Sequence, residues 1–130
     1  MSSTPQKIKK MKFLNYSNHP SYGWLEGQIA AAKEYGEVVD LDFPNINPEF
    51  TATMISSLAD EAVNRITSYG KDIIVHIMGE MTFTYAVVSR LKALGIKCVA
   101  STTKRDPEKT IITPDGKKIS EFKFVQFREY

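Results

Sequence analysis

Three times along the chain, an amphipathic stretch with apolar residues at helical spacing ends in a glycine and gives way to a short apolar run. The glycines are Gly36, Gly70 and Gly95, and Gly95 stands where a helix needs a residue that tolerates a left-handed conformation. The stripe is sharpest near the middle, where Phe83, Val87, Leu91 and Leu94 recur with Val88 alongside. Asp72–Met78 and Ile96–Ala100 flank it as apolar runs of strand length. Strand, helix and strand at this spacing predict a βαβ unit with parallel strands.

Upstream, Met11–Tyr16 (MKFLNY) reads as the first strand and Ser17–Ser21 as the turn that leaves it. A helix is expected over Tyr22–Tyr35, with Leu25, Ile29, Ala32 and Tyr35 on one side, and Glu37–Leu41 follows as the second strand. After a loop at Asp42–Asn47, Asn47-Pro48-Glu49 has the residue types of a helix start. The helix to Tyr69 would then turn Phe50, Met54, Leu58, Val63 and Ile66 inward, with Ile55 and Ala62 beside them. Near the end, Lys109–Thr113 and Lys117–Phe127 flank Pro114-Asp115-Gly116, a turn sequence that predicts a β-hairpin. The fold class expected is α/β: a Rossmann-like three-layer sandwich, parallel sheet order 2-1-3-4, with a C-terminal β-hairpin. Residues 1–10 are expected to form a flexible polar arm and residues 11–130 a single domain.

Composition narrows the classes. A length of 130 residues suits one domain with one proper core, and 42% apolar with 25% charged residues is ordinary for a globular protein. A net charge of +2 with no basic stripe argues against binding to duplex nucleic acid. The single cysteine, Cys98, excludes an internal disulfide and a cysteine-based zinc cluster, and no metal or cofactor is expected. No run reaches the length of a membrane span, and the first ten residues lack the apolar stretch of a secretory signal. A cytoplasmic location is the expectation.

In the 2-1-3-4 order, polar loops leave the carboxyl ends of strands one, three and four, where open α/β sheets place their ligands. Ser17, Asn18 and His19 come from the first loop, and Gly79, Glu80 and Thr82 from the second. Ser101, Thr102, Thr103, Lys104 and Arg105 are read as the third. Gly79 would let a phosphate or sugar approach the backbone, and the helix start behind it offers N–H groups to an anion. The plainer alternative is that Gly79 only makes the turn while Thr82 or Thr84 caps the helix. The hydroxyls of the third loop, with Lys104 and Arg105, suit a phosphate, although a solvated charged turn has the same composition. His19 is the candidate general acid or base, or a donor to a phosphate, although a lone loop histidine is more often a helix-start or surface residue. His76, inside an apolar run, reads as a satisfied core histidine, and Trp24 as a helix-face aromatic.

LNYSNHP, GEMTFTYAVVSRLKALGI, ASTTKR and the terminal FKFVQFREY resemble the short stand-alone CRISPR-associated proteins of type III systems, which carry Rossmann-like, CARF-related domains. The resemblance covers Met11 to Tyr130 and is most specific at ASTTKR and the hairpin ending FREY. It implies a homodimer that binds a cyclic oligoadenylate messenger, cyclic tetra-adenylate above all. It further implies ring nuclease activity, a metal-independent phosphodiesterase that linearises the messenger by attack of a ribose 2′-hydroxyl and switches off antiviral signalling. On this view Arg105, Lys104 and His19 serve catalysis. The ligand is held by Ser17, Asn18, Gly79, Glu80, Thr82, Ser101, Thr102 and Thr103. A protein that sequesters the same messenger without cutting it is the alternative.

Overall fold

The computed structural model describes residues 11–130, apart from the side chains of residues 107–110 and 120. The expected N-terminal arm, residues 1–10, lies outside the described residues. Strands β1 (Lys12–Ser17), β2 (Glu37–Leu41) and β3 (Ile73–Met78) run parallel to one another and to the start of β4 (Lys97–Ile112). Strand β5 (Lys118–Glu129) pairs antiparallel with β4, so the sheet order is β2-β1-β3-β4-β5. The three-layer α/β architecture and the 2-1-3-4 order are therefore present, with the C-terminal strand joined to the core sheet as its fifth member.

Two apolar layers sandwich the sheet. Helix α1 (Glu26–Tyr35) packs Ala32 over Phe13, Ile74, Val99 and Phe127. Helices α2 (Ala52–Thr67) and α3 (Met81–Ala93) cover the opposite face, where Leu14, Val75, Ile77 and Cys98 meet Ile55, Ala59, Ile66, Phe83, Val87 and Leu91. Strands of a parallel sheet are buried on both faces, which is why β1 and β3 read as nearly continuous apolar runs.

Several expectations need correction. The Ser101–Arg105 segment is not a loop: β4 continues through it for 16 residues, about 50 Å at strand rise. Its backbone groups pair with β5 from Val99 opposite Glu129 to Asp106 opposite Glu121, with Val125 bulged out of register. The first hairpin arm therefore begins at Lys97, and β4 with β5 forms a ribbon running past the ends of β1 and β3. The turn itself is as expected: Gly116 has φ 84°, and its N–H donates to Thr113 O. Helix α1 begins at Glu26, because Ser21–Gly23 forms a short 3-10 turn, and Leu25 is exposed. Helix α2 begins at Ala52, capped by the Thr51 hydroxyl, which accepts from Met54 N at 3.2 Å. Asn47 instead closes a turn of its own, its side-chain oxygen accepting from Glu49 N at 2.9 Å. Ile55, Ala62, Val63 and Ile66 turn inward as expected, joined by Ala59, whereas Phe50, ahead of the helix, and Met54, in its first turn, are exposed. Leu94 is also exposed at the end of α3.

Candidate functional site

The fourth residue of each of three adjacent strands is polar: Asn15 in β1, Asp40 in β2 and His76 in β3. Register brings them side by side, Asn15 opposite both Asp40 and His76. Asn15, 1% exposed, is the hub. Its amide nitrogen donates to Asp40 Oδ1 at 2.8 Å and to His19 O at 2.9 Å. Its amide oxygen accepts from Ser17 Oγ at 2.7 Å and faces His76 Nδ1 at 2.9 Å. Because the oxygen only accepts, His76 Nδ1 must carry the proton, which leaves Nε2 as the lone-pair nitrogen.

Ser21 anchors the other end, donating to Asp40 through its hydroxyl at 2.6 Å and its amide at 3.0 Å. Burial would raise the Asp40 carboxyl, but the bonds from the Ser21 hydroxyl, Asn15 and the Ser21 amide outweigh it and hold the pKa below the ordinary value.

His76 is 2% exposed, and its Nε2 has no hydrogen-bond partner among the described residues. The ring is held edge-on to Trp24 and Phe127, each 5.3 Å away centroid to centroid. Burial first, and the nearby His19 charge second, lower its pKa from 6.5 to about 4. Since the unfolded chain takes up the proton first, the stability associated with neutral His76 is complete above about pH 6.5 and is lost as pH falls toward 4. Unfolding midpoints in urea, compared between pH 7 and 4.5, should drop in the wild type and drop less in His76→Leu. Parallel slopes would contradict this assignment.

His76 lines a cavity of about 330 Å³ at the carboxyl ends of β1 and β3, against the first half of β4. Ser17, His19, Trp24, Met78, Ser101 and Thr103 share its wall. The amide and hydroxyl of Ser101 both face Met78 Sδ, at 3.3 and 3.0 Å. A thioether is a weak acceptor, so the hydroxyl can turn to a better one, and the amide can take one in its place, at little cost. Trp24 Nε1 donates to His19 O at 3.1 Å and fixes the loop that brings His19 to the cavity. Trp24 is thus a wall of the site before α1 begins, and not a face of that helix.

Of the residues expected at the site, Ser17, His19, Ser101 and Thr103 come together here. Asn18 lines an adjoining hollow of about 470 Å³ with Ser17, Asp40 and Tyr22. The loop after β3 turns away from anion binding. Glu80 caps α3 with its own carboxylate, accepting from Phe83 N at 2.7 Å, Thr82 N at 3.1 Å and the Thr82 hydroxyl at 2.8 Å. The bond from Phe83 N, then that from the Thr82 hydroxyl, lowers the Glu80 pKa, so the helix start already holds a negative charge. Gly79 answers to packing: a Cβ there would sit 2.2 Å from the Phe43 ring. Thr102 donates to Gln126 O at 3.2 Å within the ribbon. Lys104 and Arg105 lie opposite Lys123 and Phe122, exposed, and neither lines the cavity.

Sequence reasoning missed Asp40 and took His76 for a satisfied histidine. The available signal was positional, a polar residue fourth in each of three apolar strands. No cluster of His, Cys, Asp and Glu among the described residues is arranged to hold a metal ion. No helix among them is long and apolar enough to cross a membrane. No curated protein matches the chain. Residues 11–128 match the profile described as the Uncharacterized protein MJ1673 family, and on that match the chain belongs to the MJ1673 family.

Proposed function

We propose that the protein binds a cyclic oligoadenylate at the carboxyl edge of its sheet and linearises it without a metal. The observation that carries this reading is the cavity joining Ser17, His19, Ser101 and Thr103, with two Ser101 donors resting on a thioether. Its 330 Å³ falls in the range of small-molecule sites and suits one nucleotide better than a whole ring. Two copies about a two-fold axis would offer two such cavities, filled by alternate adenylates of a four-membered ring. In the reaction a ribose 2′-oxygen attacks its own 3′-phosphate and the 5′-oxygen leaves, giving a linear product with a cyclic phosphate end. Such a step depends on in-line positioning and on donors aimed at the phosphoryl oxygens, roles suited to Ser101 and Thr103. Arg105 follows Thr103 by two residues on the same face of β4, about 7 Å along the strand, where it can meet the next phosphate.

A second reading, sequestration without cleavage, is favoured by one feature: no lysine or arginine is among the residues lining the cavity. Incubation with cyclic tetra-adenylate in excess chelator separates the two. The expected result is many turnovers to linear product by chromatography. Stoichiometric retention of intact ring would favour sequestration, and absence of both product and thermal shift with rings of three to six adenylates would overturn both.

A further inference from the structure

We propose that His76 Nε2 accepts the proton of a ligand hydroxyl in the cavity, with Asn15 and Asp40 as positioning residues that set its tautomer. In part this rests on reading the cavity as a ribonucleotide site, where the hydroxyl is the ribose 2′-OH. Nε2 is the ring nitrogen of His76 without a partner among the described residues, and the ring borders a cavity open to ligand. An unmet buried polar atom destabilises a fold, so a site that keeps one is set up for a group brought from outside. Three features prepare that nitrogen. The Asn15 oxygen holds the proton on Nδ1, Asp40 and His19 O hold the Asn15 amide in that orientation, and Trp24 and Phe127 fix the ring plane. The depressed pKa keeps the lone pair unprotonated at neutral pH.

The 2′-O–H bond breaks and its proton passes to Nε2 while the 2′-oxygen bonds to phosphorus. The P–O5′ bond breaks, and the 5′-oxygen takes a proton relayed from water by His19, which borders the same cavity. The His76 imidazolium then returns its proton to solvent. Nothing is oxidised or reduced. A positioned general base of this kind contributes about 100- to 10,000-fold in rate.

The test uses the full chain. His76→Asn keeps a donor toward Asn15 and removes the basic ring nitrogen; His76→Gln guards against a misfolded single variant. Expected is a fall in turnover of cyclic tetra-adenylate of about 100-fold or more with affinity held within about threefold. Unchanged turnover in a folded variant overturns the inference and leaves the proposed reaction standing. Long-range 1H–15N spectra of the wild type supply the second arm. The free protein should show Nδ1 protonated, and adenosine 3′-monophosphate should move the Nε2 resonance where 2′-deoxyadenosine 3′-monophosphate does not. That response without any binding of cyclic oligoadenylates would retain the acceptor and remove the messenger. A reversed tautomer, or no response to either nucleotide, overturns the inference.

Discussion

Replacing Asn15 by leucine is expected to destabilise the fold by about 3–5 kcal/mol, because it strands several polar groups in one stroke. His76 Nδ1–H, on a buried residue, loses its 2.9 Å partner, and the Ser17 hydroxyl loses its 2.7 Å partner and keeps only the longer bond to His19 O at 3.2 Å. Asp40 and His19 O lose a donor as well, but both lie nearer solvent and water softens that loss. The double variant Asn15→Leu with His76→Leu should recover a large part of the deficit, since removing both partners costs less than orphaning one. Chemical denaturation of the two single variants and the double variant measures the coupling directly. A loss below about 1 kcal/mol for Asn15→Leu would mean that the strands rearrange to satisfy His76 without it.

Gly36→Ala should cost about 3 kcal/mol through backbone displacement, at the upper end for overpacking. A Cβ at this position would lie 1.9 Å from the carbonyl oxygen of Met11 and 2.5 Å from its carbon. The same carbonyl accepts the Glu37 N–H at 3.1 Å, the first rung between β1 and β2, so relief of the clash breaks that bond. Main chain cannot swing aside as a side chain can. Gly79→Ala meets only the far end of the Phe43 ring and should cost less. Gly27→Ala, inside α1 with nothing within 4 Å of the new Cβ, should gain about 0.5–1 kcal/mol from helix propensity. Thermal midpoints ranking Gly27→Ala above wild type, then Gly79→Ala, then Gly36→Ala, would bear this out; a neutral Gly36→Ala would refute it.

The layered α/β architecture was legible because each helix carries its own stop and each core strand its own apolar run. What was not legible had partners far away in sequence. Ser101-Thr102-Thr103-Lys104-Arg105 looks like a loop by polarity, yet Thr102 and Thr103 are β-branched and their pairing groups lie beyond residue 120 on β5. A two-stranded ribbon with exposed faces needs no apolar alternation to hold its ladder, so the pattern is silent there. Asn47-Pro48-Glu49 misled for a local reason: an Asn side chain that closes a turn and one that caps a helix use the same atoms. His76 was hidden by its apolar neighbours, and only lateral register across β2, β1 and β3 gives it meaning.

Cys98, facing the α2–α3 layer from β4, carries a thiol that burial pushes up to about 11. At physiological pH it stays protonated and out of reach, so alkylating reagents and mild oxidants find no nucleophile while the chain is folded. As the chain's one sulfhydryl, it turns reactive only when β4 parts from that layer, and so keeps a chemical clock on the opening of the sheet.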